Sequence, residues 1–355
     1  VCRGSSFDAM KVEEVSSLTT GYRFPADWEP HAATWLAWPH RRATFLGDFD
    51  EVPLAFVKLV RLLARYEPVR VIGSENVLRH ASPLLESVRQ VDLIEIPTDD
   101  SWLRDTGPVF LKSKGVPQEL VVANFGFNAW GGKYPPWDAD AAVARKIACH
   151  LGVEVVEIEM VLEGGAIETD GEGTLLANHR CIDDPQRNPK YSREELTAVL
   201  RSSLGVDTVL WVNGDLVGDD TDGHIDQLAR FVSPGCVVAA RQPDRSDPNH
   251  ESLEANFALL KSLRDARGRL LDVVPIDLPP RICFENVQLP ASYLNFFIVN
   301  GGVIVPTFEH ELDAVAIATI QQFFPDRDVV SFSALELIRG RGAVHCVTCQ
   351  QPTLE

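Results

Sequence analysis

Short β-branched runs alternate with amphipathic stretches along almost the whole chain, and this cadence restricts the fold more than any other feature. The runs include Val69-Arg-Val-Ile72, Leu93-Ile-Glu-Ile96, Leu120-Val-Val-Ala-Asn124 and Val153-Glu-Val-Val-Glu-Ile158. Thr208-Val-Leu-Trp-Val212, Cys236-Val-Val-Ala239, Asn295-Phe-Phe-Ile-Val299 and Val303-Ile-Val305 follow. Each has the length and composition of a strand. Between them, apolar residues recur near helical spacing over residues 53–66, 138–151, 192–204, 248–263 and 309–323. Asp138 and Ser192 stand where N-caps are expected. Alternation of this kind predicts an α/β protein. The cadence carries no residue-level repeat signature, and periodicity alone does not choose between an open sheet, a barrel and a propeller. Asn300-Gly-Gly302 between two apolar runs predicts a hairpin.

The chain has 355 residues, 45% apolar and 24% charged, as expected of a folded protein with a large core. No Ser/Gly/Pro-rich linker or charge block divides it, so residues 21–355 are expected to form a single domain. Residues 1–20 read as a flexible leading segment or a leftover of expression. The net charge is −18 and no Lys/Arg cluster is present, which argues against nucleic-acid binding. A negative field favours a cationic substrate, and it also serves solubility alone. Seven cysteines are scattered without the spacing of a disulfide framework. No run approaches the ~18 apolar residues of a membrane span, and no signal peptide is visible. A reducing cytoplasm is the expected location, with no membrane partner.

Four separated segments carry chemistry. Cys346 follows Gly340, Gly342 and His345. In an extended segment adjacent side chains point to opposite faces, so His345 is a poor proton partner for Cys346. A buried inert thiol is the plain alternative. Cys346 and Cys349 also spell CxxC, but a zinc site would need a second ligand pair, and a redox site would sit between a strand and a helix. His224 and Asp226 are two apart, which on a strand places both on one face; a carboxylate beside an imidazole raises its pKa. The neighbouring Asp219, Asp220 and Asp222 lack calcium-loop spacing and read as a solvated acidic loop. In Thr98-Asp-Asp-Ser-Trp102-Leu-Arg-Asp105, the acids could take a guanidinium or amine, with Trp102 as a wall. Arg104 could pair with an acid at the surface. Glu163 precedes two glycines that permit close backbone approach. Phe125-Gly-Phe-Asn-Ala-Trp130-Gly-Gly132 is an aromatic loop suited to a flap or a pocket wall.

Taken in order, these segments resemble the agmatine deiminase family of the guanidino-group-modifying pentein superfamily, which is related to bacterial-type peptidylarginine deiminases. The resemblance runs through Trp35-Leu-Ala-Trp-Pro39, Asp100-Ser-Trp102-Leu-Arg-Asp105-Thr-Gly-Pro108, Phe127-Asn-Ala-Trp-Gly-Gly132 and Glu163-Gly-Gly165. It continues in Asp170-Gly-Glu-Gly-Thr174, Gly223-His-Ile-Asp226, Tyr293-Leu-Asn-Phe296, Asn300-Gly301, His345-Cys-Val-Thr348 and Gln350-Gln-Pro352. It implies a five-bladed, pseudo-symmetric α/β propeller with the site in its central channel. It further implies Cys346 as nucleophile, His224 as acid and base, and Asp105, Glu163 and Asp226 as carboxylates around the guanidinium. Asp99, Asp100, Trp102, Trp130 and Gly132 would contact substrate. Two positions depart from the pattern: Asp99 stands where the family carries Asn, and Cys349 where it carries Gln.

The chemistry implied is hydrolysis of agmatine to N-carbamoylputrescine and ammonia through a covalent cysteine intermediate, a step of putrescine and polyamine synthesis. A guanidinium carbon is a poor electrophile until carboxylates localise its charge and orient it. No metal or organic cofactor is required. A homodimer is an admissible assembly. Deimination of free arginine or peptidyl-arginine is the alternative chemistry, with a non-enzymatic binding module of the same fold as the third reading.

Overall fold

A computed structural model describes Thr19 and residues 21–354. Apart from Thr19, the expectation for residues 1–20 lies outside the described residues. Among the described residues, the strands form five mixed sheets of three or four strands and one two-stranded ribbon, and none of these closes on itself. The five sheets share one wiring, in which an antiparallel pair is followed, after a helix, by a strand that joins it in parallel. Val109–Ser113 and Leu120–Gly126 pair antiparallel, and Glu154–Val161 then joins parallel. The same order holds for Ile167–Thr169, Thr174–Asn178 and Thr208–Val212. Ala229–Ser233, Cys236–Arg241 and Asp272–Asp277 repeat it, as do Phe297–Val299, Gly302–Thr307 and Asp328–Ser333. The fifth sheet takes its antiparallel pair from distant parts of the chain. Thr348–Pro352 lies against His31–Ala37, which pairs parallel with Val69–Gly73, and that strand pairs with Val91–Glu95.

Helices cover these sheets. Glu51–Leu63 buries Val52, Ala55, Phe56, Val57, Leu59, Val60 and Leu63 on one face. Each large aliphatic or aromatic side chain so buried contributes about 1.5–3 kcal/mol. Arg193–Leu204 starts at a capping box, Ser192 accepting from the Glu195 amide while Glu195 accepts from that of Ser192. The expected cap at Asp138 is corrected: Trp137 is the cap residue, and Asp138 is the first residue of a single turn, Asp138–Ala141. A break at Ala142 separates that turn from Val143–Leu151, so the expected single helix is two. The helix Glu75–Leu85, with Pro83 inside it, was not legible as an apolar stripe because it buries only Ala81 and Leu85. Val299 pairs with Gly302 across the predicted Asn300-Gly301 turn. Among the described residues, Cys181, Cys236, Cys283, Cys346 and Cys349 are free cysteines. Among the described residues, no helix is long and apolar enough to cross a membrane.

Candidate active site

The sheets bring the four chemical segments together. Asp105 lies on a short buried helix, Leu103–Thr106, rather than in a loop. Glu163 ends the segment after Glu154–Val161 and precedes the turn Gly164–Ala166. His224 precedes a 3-10 turn, Ile225–Gln227, so the expected strand placement of His224 and Asp226 is corrected. Cys346 sits in a turn immediately before Thr348–Pro352, not in an extended segment.

These side chains form one buried cluster. His224 Nδ1 lies 3.5 Å from Asp105 Oδ1, and Nε2 lies 3.6 Å from Glu163 Oε2. Asp105 is held from two sides: the Gly165 amide donates to Oδ1 at 3.0 Å and the Trp130 indole N–H to Oδ2 at 2.9 Å. Gly165 is required here by space, because a Cβ would lie 2.5 Å from His224 Nδ1 and 2.8 Å from Asp105 Oδ1. The Cys346 thiol donates to Asp226 Oδ2 at 3.6 Å, and the Asn295 side-chain amide donates to its sulfur at 3.1 Å. Three buried atoms of the cluster, Glu163 Oε2, His224 Nε2 and Asp226 Oδ1, have no hydrogen-bond partner among the described residues. Buried polar groups left this way are rare and point to a ligand that satisfies them.

Charge in the cluster is strongly coupled. Burial pushes Asp105 up to about 6, with Asp226 and Glu163 adding to the shift and His224 opposing it. For His224 burial acts downward, but Asp105 and Glu163 outweigh it and raise the imidazole to about 9. Burial would raise Glu163 as well, yet the Arg187 and His224 charges hold it below the usual carboxylate range. Burial, Asp226 and Asp105 push the Cys346 thiol well above its ordinary value. The cluster therefore sets an imidazole of raised pKa among carboxylates, beside a thiol whose ionisation burial and the neighbouring carboxylates oppose.

A cavity of about 180 Å³ opens onto this cluster, lined by Thr44, Asp100, Trp102, Asp105, Trp130, Tyr134, Asp220, Thr221, Arg341 and Cys346, among others. Glu163, His224 and Asp226 are not among the lining residues; His224 lies against Asp105, Glu163 against His224, and Asp226 against Cys346. Asp100 accepts from Thr44 Oγ1 at 2.5 Å. Asp99 does not line the cavity: its Oδ2 accepts from the amides of Ala139 and Asp140, while Asp140 Oδ1 accepts from those of Asp99 and Asp100. Gly132 is not among the lining residues either. Trp102 stacks on Phe45, with centroids 5.7 Å apart, and forms a wall.

Several contributors were not legible in the sequence. Arg187 is fully buried and donates to Glu163 Oε1 at 2.7 Å. His345 does not touch the thiol; its Nδ1 lies 2.8 Å from Asp226 Oδ2 and its Nε2 3.1 Å from Asp27 Oδ2. Arg104 is not a surface ion-pair partner but is buried, donating to Gln350 at 2.8 Å. Asp27, Glu168 and His345 bring potential metal ligands within 4.8 Å of one another. The Arg230 guanidinium already supplies the cation there, 2.8 Å from both Glu168 and Asp27. The acidic loop is not simply solvated: Asp219 accepts from Thr221 and Gly223, and Asp222 pairs with Arg187 and Lys133. Cys349 is buried, with its thiol directed at the Pro108 carbonyl 3.6 Å away.

A family model described as Porphyromonas-type peptidyl-arginine deiminase matches residues 23–352. The agmatine deiminase of Ectopseudomonas mendocina (strain ymp) is 40% identical over 367 residues, covering 95% of this chain and 99% of that protein. The agmatine deiminase of Stutzerimonas stutzeri (strain A1501) is 39% identical over 355 residues, covering 94% of this chain and 96% of that protein. A solved structure of the Enterococcus faecalis agmatine deiminase is 30% identical, covers 98% of both chains and superposes with a TM-score of 0.89.

Proposed function

The chain belongs to the Porphyromonas-type peptidyl-arginine deiminase family, and from that premise we propose that it hydrolyses agmatine to N-carbamoylputrescine and ammonia. The observation that carries this reading is the convergence, in one buried cluster with the Cys346 thiol and the His224 imidazole, of two carboxylate oxygens that accept no hydrogen bond from the described residues, Glu163 Oε2 and Asp226 Oδ1. The guanidinium of agmatine supplies N–H donors on two sides of one plane and a positive charge. The full-length similarity to agmatine deiminases supports the choice of substrate.

In this mechanism the guanidinium enters between Asp105, Glu163 and Asp226. Its charge offsets the carboxylates that hold the Cys346 proton, so the thiol ionises once substrate is bound and gives that proton to solvent in the cavity. The thiolate attacks the guanidinium carbon and forms a C–S bond. His224, already protonated, gives its proton to the departing nitrogen, which leaves as ammonia. Neutral His224 then takes a proton from water as that water attacks the same carbon. Collapse breaks the C–S bond and releases the ureido product, and the proton of the added hydroxyl returns to the Cys346 sulfur. Asp100 serves the amine end, and Asp99 holds the Asp100 loop rather than the substrate. No step calls for a metal or an organic cofactor.

The repeated wiring of the five mixed sheets supports a five-bladed pseudo-symmetric arrangement, with residues 21–355 as one catalytic domain. A cytoplasmic location and a homodimer fit this reading. Free arginine and peptidyl-arginine are the competing substrates. Ammonia release from agmatine, arginine and a peptidyl-arginine, measured side by side, is the test. Equal or faster turnover of either competitor overturns the substrate, and no ammonia from any of them overturns the deiminase reading.

A further inference from the structure

The turn Gly340-Arg341-Gly342 presents a guanidinium at the mouth of a cavity whose floor is suited to take one. A Cβ on Gly342 would lie 2.4 Å from Trp102 Cζ3, and one on Gly340 would lie 2.7 Å from Trp102 Cζ2. The turn therefore lies flat on the Trp102 wall, and Arg341 alone projects a side chain from it. Its φ of 70° is in the left-handed region, which costs free energy for a residue with a Cβ and persists only where surrounding contacts hold it. Those contacts converge on Asp220: Arg341 Nη1 and the Tyr134 hydroxyl both bond its Oδ2. Arg341, Asp220 and Tyr134 all line the cavity, and Arg341 is the one cation among its described lining residues. The nearby Arg104 and Arg187 are fully engaged in buried bonds.

We propose that Arg341 is a specificity-determining residue: its ion pair with Asp220 across the mouth sets the charge of the substrate tail that the cavity admits. The inference rests on the deiminase reading of the floor. With a guanidinium bound near Asp105, the tail runs toward Asp100 and the Tyr134–Asp220–Arg341 group. An ammonium tail is drawn by Asp100 but competes with Arg341 for Asp220. A carboxylate tail is repelled by both aspartates and drawn by Arg341. Arg341 thus narrows the margin by which the mouth prefers an ammonium tail over the ammonium-plus-carboxylate tail of arginine.

The test measures binding by calorimetry in a Cys346→Ala background, where turnover cannot interfere. The ligands are agmatine, free arginine and n-butylguanidine, which has the same four-carbon chain and no charged tail. Arg341→Asn removes the charge while keeping a residue that tolerates positive φ. The expected result is agmatine tighter and arginine weaker, each by about two- to fivefold for a partly exposed charge, with n-butylguanidine unchanged. Arg341→Lys, which keeps the charge, should retain the original order. A common shift for all three ligands, or no shift for any, overturns the proposal while leaving the deiminase reading intact. Absence of binding by all three overturns both.

Discussion

Asp105 Oδ1 lies 3.5 Å from His224 Nδ1, so the carboxylate that would face a guanidinium also helps to charge the imidazole that would protonate ammonia. One side chain thereby links substrate binding to proton delivery, and the pH dependence of the enzyme should show both.

Activity should follow a bell in pH. Asp105, raised to about 6 by burial, loses its charge as pH falls through that value. His224, raised to about 9 by its carboxylates, loses its proton as pH rises through that value. kcat/KM for agmatine should therefore decline on both sides of this window. Trp130→Phe removes a hydrogen bond that lowers the Asp105 pKa, so its acidic limb should move toward neutral pH. A flat profile from pH 5 to 10 would remove both groups from the reaction.

Cys346→Ser should lower kcat by roughly 10⁴-fold or more, as expected for loss of a nucleophile that acts with a partner. Cys349→Ser should keep most activity, since that thiol faces the Pro108 carbonyl. Equal losses in the two variants would return a dithiol role. Mass spectrometry of the wild type mixed with agmatine should capture an adduct on Cys346 and none on Cys349.

Arg187→Met should destabilise the fold by about 3–5 kcal/mol, because it removes the buried guanidinium bonded to Glu163 Oε1 and leaves that carboxylate only the more distant His224. Adding Glu163→Gln should restore part of that loss without restoring turnover. Urea midpoints beside kcat/KM separate the two effects. If the double variant is as active as wild type, Glu163 does not face the substrate.

Asp99→Asn should change KM for agmatine by less than about threefold, since Asp99 accepts from the Ala139 and Asp140 amides and does not reach the cavity. Asp100→Asn should raise KM by about tenfold or more, through loss of a buried charge opposite an ammonium. The reverse order of effects would return Asp99 to the substrate.

The sequence was most legible where chemistry restricts residue type. Cys346, His224, Asp105, Glu163 and Asp226 stood out because few side chains can serve as nucleophile, acid or charge carrier, and the structure brings these five together. The strand at Thr208–Val212 was legible from composition. What escaped was what only folding creates. Arg230 meets Asp27 across 203 positions, and Arg187 looked like any surface arginine until the sheets buried it. The loop of Asp219, Asp220 and Asp222 read as solvated because no local pattern shows that Arg187, Lys133 and Arg341 arrive opposite it. His224 and Asp226 were placed on a strand by their two-residue spacing, whereas His224 caps a 3-10 turn that contains Asp226.

The pairing of Thr348–Pro352 with His31–Ala37 has a consequence for timing. Ribosomal synthesis delivers His31–Ala37 early, and that strand must wait for a partner more than three hundred residues downstream. Cys346 lies two residues before that partner, so its sulfur is placed in the same event that completes the sheet. Such distant pairing is slow to form. A chain that stopped short of Thr348–Pro352 would leave His31–Ala37 without its antiparallel partner, so the Cys346 thiol reaches Asp226 only at the end of folding.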